Sequence, residues 1–356
     1  MDAKVDQIKK PTKAQLKSAG DAIRQGKAGP EVFEVLKDWR NLHSLPLSML
    51  QTSIKTKLHR LPEVKDLLIA QRLKRMPSIV SKLQRFETMQ VARMQDIGGL
   101  RIIAKNIVDV YKVKGLLCQA GSTAAFLPTN GFHDYIQTPK KDGYRSIHQV
   151  FRYQGKKHAE LNGLLFELQI RTALQHCWAT AVEILGIIER ENFKSGEGGD
   201  DFKTFFKLAS AAFSLKEGTP VLEEYATLSK EELRNRLKDI TSKLQIFAKL
   251  DGAAGGVHVC AQMPNSKHED LYYVLSLTAP DALGKRQIRV MPFISKMVDM
   301  AENLYAALEA EAEQRHDGSL ALLINVKGAK NIKKAYPNFF LDTQIFIKEL
   351  RKFIEG

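Results

Sequence analysis

The chain is poor in cysteine: three in 356 residues, Cys118, Cys177 and Cys260, scattered far apart. They make neither a disulfide framework nor a zinc-ligand pattern, so reduced thiols and a cytoplasmic location are expected. No apolar run approaches the length of about 18 residues that a membrane span requires. The first residues, MDAKVDQIKKPTKAQ, are polar and lack the apolar stretch of a signal peptide. Internal repeats and low-complexity tracts are missing too. Hydrophobic content of 44% with 26% charged residues is ordinary for a soluble globular protein and argues against global disorder. The length exceeds one small core and suits two or three domains.

Acidic residues are in the minority: 40 Asp and Glu against 54 Lys and Arg, a formal charge of +14. Half of that excess falls in segment 55–85, where nine Lys or Arg face only Glu63 and Asp66. A field of this kind attracts polyanions such as nucleotides, RNA, DNA or an acidic protein. The plainer reading is a solvated helix face. Local motifs have to separate the two.

Periodicity organises the chain as an α+β protein. Residues 1–64 read as a basic helical region, with helical apolar spacing over 12–26 and 31–42. Residues 65–251 read as the main domain with a helical extension. Segment 71–85 reads as a helix start, with Pro77 in the first turn and Ile79 and Leu83 on one face. A strand over 98–105, a helix over 107–119, a strand into Tyr135–Ile136, a basic loop at 139–143 and strands over 146–153 and 163–170 follow. Thr172 with Gln175 spells a capping box for a helix over 173–190. Asn192–Asp201 is loop by composition, and helices are expected over 202–216 and 230–250, the second capped by Ser229 with Glu232. Asp251–Gly256 (DGAAGG) is the best domain boundary. Beyond it, 257–356 alternates strand and helix as a small α/β module: strands 270–277, 286–291 and 319–326, helices 294–312 and 338–353.

Two short segments carry chemistry: Gly143-Tyr144-Arg145-Ser146-Ile147-His148, and Phe166-Glu167-Leu168-Gln169-Ile170-Arg171-Thr172. Period-2 geometry puts Leu164, Phe166, Leu168 and Ile170 on one face of a strand, and Leu165, Glu167, Gln169 and Arg171 on the other. A carboxylate, an amide and a guanidinium on one face of a half-apolar strand need solvent, a metal or a charged ligand.

With two further blocks, Arg72-Leu-Lys74-Arg-Met-Pro-Ser78-Ile-Val-Ser-Lys82 and Asp96-Ile-Gly-Gly-Leu-Arg101, and with Asp134-Tyr-Ile-Gln-Thr-Pro-Lys140 running into Gly143, the chain resembles the RelA/SpoT-type alarmone synthetases over residues 65–190. Any block alone is weak; four in order at compatible spacing are strong. The resemblance implies a mixed β-sheet flanked by helices, related to nucleotidyltransferases, with the module from 257 as a second, smaller domain. It implies transfer of pyrophosphate from ATP to the 3′-hydroxyl of GDP or GTP, giving AMP and ppGpp or pppGpp.

Displacement at the β-phosphate of ATP builds negative charge and needs cations, positioning and a route for the hydroxyl proton. Asp96 and Glu167 are the carboxylates on offer, and Mg²⁺ takes one or two carboxylates plus phosphate oxygens. By resemblance Asp96 holds the metal, and Glu167 either shares it or acts as general base. Arg72, Lys74 and Lys82 are expected on the ATP phosphates, helped by the helix start near Ser78. Arg72 and Arg101 are expected to flank the adenine. Tyr144 is expected on the acceptor base, with Lys140, Arg145, His148, Gln169 and Arg171 around the acceptor.

Plainer roles stand beside these. Asp96 could be a turn residue before a strand, Gly98 and Gly99 a bulge, and Tyr144 an ordinary strand aromatic. Strict alternation puts Asp96 and Arg101 on opposite faces, so either the glycines bulge or Asp96 sits outside the strand. His176 and Trp178 are expected to pack under the sheet. His258 with Cys260 reads as strand, and His316-Asp317 as a lone pair on a loop. Nothing upstream supplies the spread-out His and Asp ligands of an alarmone hydrolase.

Two other functions compete. A toxin-type member would place pyrophosphate on the 3′ end of tRNA or on an adenine nucleotide, held in check by its C-terminal domain; the charge of +14 suits tRNA. The module at 257–356 would then answer to a protein regulator, or serve contact with a second copy of the chain. A non-catalytic nucleic-acid-binding module on a degenerate nucleotidyltransferase fold is the third reading, and the intact pair Asp96 and Glu167 argues against it.

Overall fold

The computed structural model describes residues 10–74, 76–119, 125–189, 191, 193, 196–252, 271–279, 287–315, 317, 319–326 and 339–356. Arg75, His258, Cys260, His316 and most of Asp251–Gly256 lie outside them, so the readings made there do too. The chain divides into two compact units, Met1–Thr138 with Arg145–Ala173, and Pro139–Tyr144 with Leu174–Gly356.

The first unit opens with three helices, α1 (Lys13–Arg24), α2 (Pro30–Asn41) and α3 (Ser44–Leu58). Thr12 caps α1 through a reciprocal capping box with Gln15, and α2 starts on Pro30, whose missing N–H costs nothing there. Then come β1 (Leu68–Leu73), α4 (Met76–Arg85), β2 (Gly98–Ala104), α5 (Ile107–Leu117), β3 (Phe126–Asp134), β4 (Ile147–Tyr153) and β5 (Leu165–Thr172). The sheet order is β1-β2-β5-β4-β3, with β2 and β5 parallel and the other pairs antiparallel. It is a mixed five-stranded sheet flanked by helices. Leu100, Ile102, Phe166, Leu168 and Ile170 bury one face with Leu50, Ile54, Val110 and Val113 of the helices. The opposite face keeps the polar residues.

The expected helix over 71–85 is corrected in its first part. Residues 71–73 belong to β1, and the helix begins only at Met76. β1 is an edge strand with mostly exposed side chains, so it carries no alternation for a pattern to register.

The second unit contains α6 (Ala173–Ile188) from Leu174 on, α7 (Asp200–Glu217), α8 (Lys230–Lys243), β6 (Leu271–Leu277), β7 (Ile288–Ile294), α9 (Val298–Arg315), β8 (Leu320–Val326) and α10 (Phe339–Glu355). Ser229 and Glu232 form the expected capping box of α8. That helix stops at Lys243, earlier than expected, because Gln245 takes a left-handed φ of 52° before a short helix at 246–252. Strands β7-β6-β8 form a second, smaller antiparallel sheet. Among the described residues no helix is long and apolar enough to cross a membrane.

Helix α10 does not stay with that small sheet. Phe346, Ile347 and Leu350 join the core built by α6, α7 and α8, and Phe346 packs edge-on to Phe205 and Phe213. His176 Nε2 meets Asp342 Oδ2 at 3.1 Å, and Lys216 pairs with Glu349. Deleting 257–356 would therefore strip a wall from this core. Phe346→Ala should cost about 3–5 kcal/mol by leaving a cavity. A urea midpoint for the variant equal to that of wild type would contradict this packing.

Candidate functional site

The open face of the five-stranded sheet is where the polar residues gather. Register sets Gly99 beside Glu167 and Arg101 beside Gln169 across the parallel pair. Arg72 lies opposite Gly99 on the other side, and His148 opposite Gln169. Arg72, Arg101, Glu167 and Gln169 line one cleft with Asp96, Ala70, Gln71, Gly99 and Leu100. The two carboxylates therefore share a cleft.

Asp96 reaches that cleft because it lies outside the strand: β2 begins at Gly98, so the alternation that would send Asp96 and Arg101 apart never applies. The glycines have separate reasons. A Cβ on Gly98 would stand 2.6 Å from the Phe166 ring, so Gly98 lets that ring close the core. Gly99 faces the cleft, and a Cβ there would make only ordinary contacts with the Arg72 and Glu167 carbonyls.

Each carboxylate has its own set of donors. Asp96 accepts from Lys74 Nζ at 2.5 Å and from Lys82 Nζ at 2.9 Å. Burial pushes its carboxyl up, and the charges and hydrogen bonds of Lys74 and Lys82 outweigh that and hold it below the ordinary aspartate value of 3.8. Glu167 accepts from Gln169 Nε2 at 2.7 Å and lies 3.0 Å from His148 Nδ1. Burial again pushes up, the hydrogen bond and charge of His148 push down, and the Asp96 charge pushes up; the net direction is downward. Both groups are ionised at neutral pH. Arg101 Nε donates to Gln169 Oε1 at 3.4 Å, which orients the amide so that its nitrogen faces Glu167.

The remaining expected residues divide. Ser78 sits exposed in the first turn of α4 and is not among the residues lining the cleft. Arg145 and Arg171, expected around the acceptor, are buried at 2% and 3% exposure. Lys140 and Tyr144 belong to the second unit. There Lys140 Nζ lies 5.1 Å over the Tyr144 ring, which itself packs against Trp178 at 6.5 Å. Trp178 Nε1 donates to the Phe206 carbonyl within the same helical core. His148, also expected around the acceptor, faces Glu167.

Sequence reasoning missed Tyr135 and His133. Tyr135 packs edge-on to His148 at 5.2 Å and stacks on His133 at 5.2 Å. Burial and then the Glu167 charge push its phenol up. Its signal was position alone, one residue past Asp134 within a quoted block.

Among the described residues no group of three or more His, Cys, Asp or Glu could hold a metal by itself. Two ionised carboxylates on one cleft remain a fit donor set for a hard cation that takes its other ligands from phosphate and water.

The first unit is thus a mixed five-stranded sheet with two carboxylates in one cleft on its open face, and comparison with known proteins specifies its family. The family model described as "Region found in RelA / SpoT proteins" matches residues 71–195. The chain is 31% identical over 159 residues to GTP pyrophosphokinase YwaC of Bacillus subtilis, covering 41% of this chain and 73% of that protein. It is 34% identical over 151 residues to GTP pyrophosphokinase YjbM of the same organism, covering 40% of this chain and 64% of that protein. The crystal structure of B. subtilis small alarmone synthetase 1 bound to its product pppGpp aligns with TM-score 0.42 and 27% identity, over 49% of this chain and 88% of that one. The chain belongs to the RelA/SpoT family.

The Asp96 shift has a sign that can be tested. Its folded value is depressed, so its contribution to stability is full above 3.8 and is lost as pH falls through the folded value. Asp96→Asn should flatten the acid limb of the stability curve in that window. Urea midpoints of wild type and variant that fall in parallel below pH 3.8 would contradict the ion-pair account.

Proposed function

We propose that the chain is a pyrophosphokinase that moves the β,γ-pyrophosphate of ATP to the 3′-hydroxyl of GDP or GTP. The observation that carries this is the sharing of one cleft by Asp96 and Glu167 beside Arg72, Lys74, Lys82 and Arg101. The 3′-oxygen forms a bond to the β-phosphorus, the bond from that phosphorus to the α-bridging oxygen breaks, and AMP leaves with the electron pair. The hydroxyl proton goes to the Glu167 carboxylate, a general-base contribution of about 10²–10⁴-fold.

Lys74 and Lys82 would turn from Asp96 to the triphosphate, and Arg72 and Arg101 would hold the donor's phosphates and base by planar contacts. Asp96, with Glu167 alongside, would hold a magnesium ion, which when bound supplies charge neutralisation on the phosphate oxygens. Lys140 and Tyr144 remain the candidates for the acceptor's phosphate and base. The competing acceptor is the 3′ end of tRNA, favoured by the formal charge of +14.

Incubation with γ-labelled ATP, Mg²⁺ and either GDP, GTP, an adenine nucleotide or deacylated tRNA separates these. Label on GDP or GTP is the expected outcome, and label on tRNA alone would move the reading to the toxin type. Absence of label with every acceptor would leave a binding module. Asp96→Asn and Glu167→Gln should each abolish transfer without unfolding the chain; a variant keeping more than about a tenth of the rate would contradict its assigned role.

A further inference from the structure

The loop that carries Lys140 and Tyr144 is seated within the second unit. It closes on itself: Gly143 N donates to the Lys140 carbonyl at 2.8 Å, Lys140 N to the Tyr144 carbonyl at 3.1 Å, and Tyr144 N to Asp142 Oδ1 at 2.9 Å. Two helices form its seat. On α7 the Ser210 hydroxyl donates to the Gly143 carbonyl at 2.6 Å, and on α6 the Trp178 ring packs against Tyr144. The fit is close, since a Cβ on Gly143 would stand 3.0 Å from Ser210 Cβ, 3.3 Å from Trp178 Cζ2 and 3.4 Å from Lys207 Cα. A small change in the spacing of α6 and α7 is therefore felt at the loop.

Helix α10 bridges that pair. Asp342 Oδ2 meets His176 Nε2 of α6 at 3.1 Å, and both residues are buried. A carboxylate only accepts, so Nε2 carries the proton and donates. A hydrogen bond is directional, and this one fixes the register of α10 against α6 as packing alone does not. On the α7 side, Phe346 packs edge-on to Phe205 and Phe213, and Lys216 pairs with Glu349. Phe205 lies against Phe206 at 5.3 Å, and the Phe206 carbonyl accepts from Trp178 Nε1 at 2.9 Å. Both routes from α10 thus converge on Trp178. His176 and Trp178 stand about 200° apart round the helix, so α6 is held by α10 on one side and by the partners of the indole on the other.

We propose that α10 serves acceptor binding: through Asp342 on His176 and Phe346 on Phe205 it sets the α6–α7 pair, and so positions the loop that carries Tyr144 and Lys140. Asp342 is then a positioning residue that touches no substrate. Loss of its contact lowers the fraction of chains whose loop stands in the binding arrangement, and the apparent acceptor affinity falls by that fraction. The donor half of the reaction, on the five-stranded sheet, does not depend on it. The proposal rests on the pyrophosphokinase reading above, in which this loop meets the acceptor.

The test measures KM for each substrate separately, with the full chain in the labelled-transfer assay. Asp342→Ala should raise the KM for GDP about tenfold, the equivalent of one buried hydrogen bond. The KM for ATP, and kcat at saturating GDP, should stay within about threefold of wild type. Asp342→Asn keeps an oxygen that accepts from His176 and should recover most of the loss. In a Tyr144→Ala background, adding Asp342→Ala should change the KM for GDP by less than about twofold, because residues acting as a unit are not additive. If Asp342→Ala does not fold, Trp178→Phe decides: a ring stays, the bond to the Phe206 carbonyl is lost, and the KM for GDP alone should rise. A merely structural role for α10 would reduce the amount of active enzyme, lowering kcat and leaving both KM values unchanged, and that pattern overturns the proposal. Equal rises in the two KM values overturn it too, as does an Asp342→Asn variant no better than Asp342→Ala. A wild type that labels neither GDP nor GTP overturns the parent reading and this one together; an active wild type with any of the contrary patterns overturns this one alone.

Discussion

The cleft depends on one carboxylate held by two ammonium groups. Asp96 precedes β2, Lys74 follows β1 and Lys82 lies on α4, so the triad ties three elements at one corner of the sheet. The backbone reinforces the same corner: Lys74 N donates to the Ile97 carbonyl at 2.8 Å, and Arg40 Nε donates to the Lys74 carbonyl at 2.7 Å. A partly buried Asp96 without its lysines would be an uncompensated charge, and removing one partner from such a group is more costly than the pair's own net worth. The same arrangement makes the lysines available. On the proposed reading, a triphosphate would offer these lysines more negative charge than one aspartate does, and Asp96 would then be released toward a cation.

Asp96 and Glu167 are both ionised, yet their surroundings are unlike. Asp96 is neutralised by formal positive charges, whereas Glu167 is stabilised by donors of an imidazole and an amide. The Asp96 charge raises Glu167, which means the two feel one another, but it does not prevail over the local donors. On the proposed reading, Asp96 would meet a cation and Glu167 would take a proton once its partners shift. A single environment for both could not divide the work in this way.

Period and glycine placement made the central strands legible in the sequence. The alternation of Phe166, Leu168 and Ile170 against Glu167 and Gln169 survives in β5, because a strand buried on one face must keep that register, and it breaks at Arg171, which is buried. Strand β1 was not legible, since an exposed edge imposes no such pattern. Nor were the partners of the charged residues. Whether Arg145 meets a ligand or disappears into the interior is decided by packing far from it in sequence, and no local spacing encodes that. The return of α10 to the helical core was equally hidden: Phe346 and Leu350 look like any amphipathic stripe until the surface they cover is known.

The Gly143–His148 block illustrates why residue types can be read more safely than their tasks. The block looks like one ligand motif, but the chain passes from one compact unit to the other between Tyr144 and Arg145. Gly143 has φ of +91°, and a Cβ there would stand 3.0 Å from that of Ser210, whose hydroxyl donates to the Gly143 carbonyl. That position therefore demands glycine for backbone reasons alone. Tyr144 is spent partly on Trp178 and on the Lys140 ammonium, and His148 on Glu167. Of six residues that spell a binding segment, at least three are bound first to the protein itself.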